Sequence, residues 1–95
     1  MAIFDFTHLN ALTQMKELFP ELTDKQFRLA FYWAWGSDIQ AIASMNESSS
    51  EAVKKILHRS KERLGLDSID ILRNVIILRV LASMWGNAIW HKTSK

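Results

Sequence analysis

Ninety-five residues, with twelve Lys or Arg against ten Asp or Glu and a net charge of +2, make one small domain whose overall charge is too slight to identify a partner. A chain of this size buries roughly 60–65 % of the surface its unfolded form exposes, and 48 % apolar residues exclude a disordered chain. The absence of Cys excludes a disulfide framework and thiol chemistry and fits a reducing compartment.

One Pro and three Gly leave little punctuation for hairpins, and no run alternates apolar and polar residues over strand length. The sequence therefore predicts an all-α fold, five helices with short connections. The first helix is expected from about Thr7 to Phe19, capped by Thr7 or Asp5, with Leu9, Leu12, Met15, Leu18 and Phe19 as its apolar stripe. Pro20 stops it, because the residue before a proline is driven out of the α region. The second begins at Thr23, where Thr23-Asp-Lys-Gln26 fits a capping box. Phe27, Ala30, Phe31 and Ala34 point inward with Leu29 and Trp33 beside them, and Gly36 suits the left-handed C′ position. Its aromatic cluster, which also holds Tyr32 and Trp35, reads as core rather than as a stacking platform.

A short third helix runs from about Asp38 to Ser44 or Met45, capped by Ser37, with Ile39, Ile42 and Ala43 facing in. Asn46-Glu-Ser-Ser forms a turn, and Ser48 or Ser49 caps the fourth helix. That helix carries five of the twelve basic residues, Lys54, Lys55, Arg59, Lys61 and Arg63. Val53, Leu57, Ser60 and Leu64 recur at spacings of four, three and four and define its inward seam. The opposite side holds Ser50, Glu51, Lys54, Lys55, His58, Lys61 and Glu62. A short helix, a tight turn and a basic amphipathic helix, in that order, form a helix-turn-helix pattern. Gly65 ends the basic helix, and Leu66 follows as an apolar contact.

The fifth helix is expected from Asp67 or Ser68 to about Trp90. Asp67 and Asp70 suit the positive end of its dipole, and His91, Lys92 and Lys95 the negative end. It is apolar nearly all round. Ile69, Leu72, Ile76 and Val80 form one face; Ile71, Val75, Leu78, Ala82, Trp85 and Ile89 form another, broken only by Arg73, Asn74, Arg79, Ser83 and Asn87. A domain this small cannot hide both faces, so the second is expected to pack partly on the first helix and partly on another chain.

From Leu22 to Leu66 the chain resembles the LuxR/NarL-type (GerE-like) helix-turn-helix family. The residues that carry the resemblance are Leu22-Thr23 at the start, Ala34-Trp35-Gly36 at the end of the second helix, and Ile42-Ala43. Ser49-Ser-Glu-Ala52-Val53-Lys54 then opens the basic helix, and Arg63-Leu64-Gly65-Leu66 closes it, all in one ungapped register. The chain departs from the family pattern at Lys25-Gln26, at Asn46 and Ser48 in the turn, at Ala52, where the family has Thr, and at Ile56, where it has His.

The resemblance implies a tetrahelical core with an added N-terminal helix and a long C-terminal one. It divides the domain into a packing helix (1–21), a helix-turn-helix core (22–66) and a dimerisation helix (67–95). It also implies a stand-alone DNA-binding transcription regulator that acts as a homodimer through a recognition helix at about 49–64. The family's base-reading positions fall on Lys54, Lys55 and His58. Ser50, Arg59, Lys61 and Arg63 are placed to contact phosphates. Leu78, Leu81, Ala82, Trp85 and Ile89 are the expected dimer contacts.

The expected partners are double-stranded DNA and a second copy of the chain. The alternative is a protein-interaction module that pairs with and modulates another transcription regulator, with weak DNA binding of its own or none. His8, His58 and His91 lie on separate segments, and there is no glycine-rich phosphate loop and no Ser flanked by glycines as an elbow. No metal, cofactor, small-molecule ligand or catalysis is expected. The N-terminal MAIFDFTHLN lacks the basic and apolar regions of a signal peptide, and the apolar stretch from Val75 to Trp90 is too short and interrupted for a membrane span. A cytoplasmic location is expected.

Overall fold

The computed structural model describes residues 6–93, with side chains described from 11 to 86. It is all-helical: α1 (Phe6–Lys16), α2 (Asp24–Ala34), α3 (Ile39–Met45), α4 (Ser50–Arg63) and α5 (Ile69–Thr93). Helix α2 is the hub. It packs against each of the other four helices, and α4 also packs on α3 and α5.

The capping box at the start of α2 is present in both directions. The Gln26 amide donates to Thr23 Oγ1 at 3.1 Å, and the Thr23 amide donates to Gln26 Oε1 at 3.0 Å. Two otherwise orphaned N–H groups are thereby satisfied. Ser49 Oγ does the same for α4, accepting from the Ala52 amide at 3.1 Å. Several boundaries differ from expectation, the end of α5 among them, at Thr93 rather than about Trp90. The cap of α3 is Asp38, not Ser37, because the Asp38 carboxylate reaches the Ala41 amide at 2.7 Å. Helix α1 ends at Lys16, since the amides of Glu17, Leu18 and Phe19 bond three residues back rather than four as the chain tightens before Pro20. The helix begins at Phe6, so Thr7 lies inside it, and Asp5 lies outside the described residues.

Three helices end in the same closure. After α2, Ser37 N–H donates to Tyr32 O and Gly36 N–H to Trp33 O; after α4, Leu66 donates to Lys61 O and Gly65 to Glu62 O. After α3, Ser48 donates to Ala43 O and Glu47 to Ser44 O. This paired pattern satisfies the last carbonyls and requires a left-handed C′ residue. Gly36 (φ 103) and Gly65 (φ 71) meet the requirement; in the α3–α4 turn it falls on Glu47, at φ 50.

Phe19, Leu29, Ile42, Val53, Leu57, Leu72 and Ile76 are fully buried at the centre, one or more from every helix after α1 and one from the α1–α2 connection. Phe19, Phe27, Phe31 and Trp35 form a row of tilted rings along α2, with centroids 5.4, 5.6 and 5.8 Å apart. The aromatic residues of α2 other than Tyr32 and Trp35 are buried. On α5, Leu72, Ile76 and Val80 are buried, whereas Ile71, Leu78, Leu81, Met84 and Trp85 are exposed. Among the described residues α1 packs on α2 rather than over these exposed side chains.

The two arginines that break the apolar pattern of α5 tether it. Arg73 Nε donates to Trp33 O at 2.8 Å with its guanidinium 3.7 Å from the Trp33 ring centroid, and Trp33 Nε1–H donates to Ile69 O at 2.8 Å. Arg79 bonds Leu18 O at 3.0 Å and both carboxylate oxygens of Glu21 at 3.0 and 3.2 Å, and lies over Phe19.

Candidate nucleic-acid interface

The fold fixes which side of α4 is free. Successive residues advance by about 100° around a helix, and Val53, Leu57 and Ser60, which share one side, are all 0 % exposed. Ser60 is polar but satisfied, its hydroxyl donating to Ile56 O at 2.8 Å. With that side sealed against α2, α3 and α5, the opposite side has to face solvent. Lys54, Lys55, His58 and Arg59 are exposed on it, together with Glu51 and Glu62. These six residues line one shallow surface.

The seven expected DNA contacts do not all land alike. Lys55, His58 and Arg59 lie nearest the direction opposite the core. Lys54 lies on one flank with Ser50 and Lys61, the latter two half-buried. Arg63 lies on the other flank, and its Nε–H donates to Glu21 O at 2.9 Å, tying the end of α4 to the α1–α2 connection. The same Glu21 carries the carboxylate held by Arg79, so one residue of the α1–α2 connection joins α4 and α5. The Arg79 hydrogen bond holds the Glu21 carboxyl below its ordinary value of 4.5.

The other basic side chains of α4 are uncommitted. Among the described residues the ion pairs are Arg79–Glu21 at 3.0 Å and a looser Lys16–Asp24 contact at 3.9 Å. Lys54, Lys55, His58, Arg59 and Lys61 make none. Glu51 lies one turn before Lys55 without pairing with it, so the cations remain available to an external anion. Two features of this surface escaped the sequence reading. Spacing already placed Glu51 and Glu62 on this side, and they are exposed there, but that they bracket the basic centre along the helix axis without pairing with it is what the structure adds. Gln40, from the start of α3, lines a groove with Trp33, Asp38, Ile39, Ser50 and Lys54; no local pattern links it to α4.

The second candidate surface is on α5, where Leu78, Leu81, Ala82, Met84 and Trp85 form an open apolar strip. Leu78, Leu81, Ala82 and Trp85 are exposed as the expected contacts require, and Ile89 lies outside the described side chains. Ile71 and Met84 share the exposure without having been singled out as contacts. Among the described residues no three His, Asp or Glu side chains converge as a metal site would need, and no helix is long and apolar enough to cross a membrane. No family model, curated protein or solved structure matches the chain.

Proposed function

We propose that the protein is a homodimeric, cytoplasmic DNA-binding transcription regulator of the LuxR type, with α4 as the helix that enters the major groove. The observation that carries this reading is the uncommitted basic face of α4, presented by a helix whose other side is fully buried and which follows a short helix and a tight turn. An α-helix with its side chains is about 10–12 Å across and the major groove about 12 Å wide, so the exposed half of α4 fits it. Lys54 and Lys55 lie in the N-terminal half, the part of a recognition helix that reaches base edges, and His58 follows one turn after Lys54 on the same side. Lysine donates to guanine O6 and N7, and His58 to an acceptor edge.

Ser50, Arg59 and Lys61 border these three and hold phosphates. Arg63, tied by one N–H to Glu21, contributes charge from a fixed position. Phosphate neutralisation supplies most of the affinity, and a two-fold pair of subunits reads half-sites about 34–36 Å apart.

A second reading, a module that pairs with another regulator, draws on the bare apolar strip of α5. Selection from a pool of random duplexes at fixed salt separates the two. The first reading expects enrichment of a partly palindromic site, on which Lys54→Ala and Lys55→Ala each lose about 1–3 kcal/mol. No enrichment, or unaltered binding by both variants, would overturn the recognition-helix assignment and favour the second.

A further inference from the structure

The exposed strip of α5 has a period that differs from that of its buried side. Ile71, Leu78 and Trp85 are seven residues apart, and Asn74 and Leu81 fall three residues after the first two. They occupy positions a and d of a heptad, the 3.5-residue seam along which helices supercoil. Ile71, Leu78, Leu81 and Trp85 are 39, 63, 54 and 70 % exposed. At about 100° per residue this seam lies opposite the buried Leu72, Ile76 and Val80. One helix thus faces its own core on one side and offers a coiled-coil stripe on the other.

We infer that this seam is the docking surface for a second copy of the same chain, lying parallel to the first with the two Asn74 side chains paired. Three features select a second copy. Between Ile71 and Trp85 the seam carries no charge, because Arg73 and Arg79, the charged residues of that stretch, are held inward by Trp33, Leu18 and Glu21. A partner chosen by charge has nothing there to recognise, whereas an uncharged apolar stripe complements itself.

Area is the second feature. With Met84 at its edge, the strip exposes on the order of 500 Å² of apolar surface per chain. Two copies then bury about 1,000 Å² from these side chains alone, close to the roughly 1,200 Å² at which specific interfaces begin.

The third feature is Asn74, a lone polar residue at a d position, and it also sets the orientation. In a parallel pair the two Asn74 amides meet at one level and bond each other. In an antiparallel pair centred on Leu78, Asn74 stands level with Ala82 of the other copy and its amide is buried without a partner, which is unfavourable by about 1–3 kcal/mol. A single buried Asn at an a position fixes register and partner number in coiled coils, and Asn74 places the same amide pairing at d.

The pairing deepens the homodimer part of the proposed function and is independent of the DNA part, since its test contains no DNA. The chain has no Cys, so single-Cys variants report cleanly. Ile71→Cys and Trp85→Cys, both at exposed positions, are purified, checked for native helicity and oxidised, alone and as a mixture. The parallel seam expects each variant alone to form a disulfide-linked dimer, at a rate raised at least tenfold over a Gln14→Cys control. In the antiparallel arrangement the two thiols of an Ile71→Cys pair stand about 21 Å apart along the axis, beyond the roughly 7 Å Cα separation a disulfide spans. Cross-linking of the mixture alone would therefore overturn the orientation.

Sedimentation of the cysteine-free chain decides the occupant. A dimer abolished by Leu78→Asp is expected. A monomer at every concentration would overturn the second copy as occupant while leaving the basic face of α4 to its own test. Asn74→Leu is expected to keep the dimer but admit mixed 71–85 cross-links; continued exclusive self-cross-linking would remove Asn74 as the orienting residue.

Discussion

Replacing Glu47 by Gly is expected to stabilise the protein, although it removes a side chain from the helix-turn-helix turn. The Glu47 side chain is exposed, so little packing is lost, and its backbone sits at φ 50 to let the Ser48 and Glu47 amides reach Ala43 O and Ser44 O. Left-handed backbone is unfavourable for an L-residue with no local side-chain bond by about 1–2 kcal/mol. Glycine relieves that strain but enters the unfolded state with more freedom, worth roughly 0.5–1 kcal/mol in the opposite direction. The charge contributes little net, because Glu47 lies past the negative end of α3 and just before the positive end of α4, where the dipoles oppose.

The balance is a gain of about 0.5–1 kcal/mol, or roughly 3–6 °C in Tm for a domain of this size. Urea unfolding at one fixed protein concentration measures it: the midpoint should rise with an unchanged slope. Glu47→Ala separates strain from charge, since it removes the carboxylate and keeps the left-handed Cβ. An unchanged midpoint for Glu47→Gly, or an equal gain for Glu47→Ala, would refute the strain argument. At Gly36 the reasoning runs in reverse. Nothing lies within 4 Å of an added Cβ there, yet φ 103 makes Gly36→Ala destabilising by about 1 kcal/mol or more.

Thr23→Ala removes one arm of the α2 capping box and is expected to lower stability by about 1 kcal/mol, read by the same unfolding curves. Glu21 gives a pH signature. Its folded-state pKa lies below 4.5 because Arg79 bonds the carboxylate, so its stabilisation is present above that value and lost as pH falls through the depressed folded pKa. Glu21→Gln should therefore be less stable than the parent chain at pH 7, with the gap closing in acid. Both side chains are 36 % exposed, so solvent screening keeps the gap below about 1 kcal/mol. A gap that widens below pH 4 would contradict the assignment.

What the sequence disclosed was local. Thr23 and Gln26 lie three residues apart in a recognisable cap, glycines mark two of the three left-handed helix ends, and Val53, Leu57 and Ser60 show their inward face by spacing alone. The third left-handed position escaped notice because Glu47 has none of the conformational signature of Gly or Asn. Asp38 and Ser37 are adjacent residues with similar capping ability, and only the carboxylate's reach to the Ala41 amide separates them.

The remaining omissions were contacts distant in sequence. Arg73 and Arg79 read as interruptions of α5, but their partners Trp33 and Leu18 lie 40 and 61 residues away. Arg63 reads as a phosphate contact from its place on the basic helix, but its bond to Glu21 spans 42 residues. On α5 the two apolar faces were legible. That Ile71, Leu78, Ala82 and Trp85 of the second are left exposed rather than shared with α1 was not, because that depends on where α1 packs.

The most direct test of the central claim is a salt titration of duplex binding by the wild-type chain and by Arg59→Ala. If the free cations of α4 neutralise phosphates, log Kobs falls linearly with log salt, and removing Arg59 makes the slope shallower by about 1 while weakening binding uniformly across sequences. A wild-type chain that binds no duplex at low salt, or an Arg59→Ala slope identical to wild type, would contradict α4 as the DNA-contacting face.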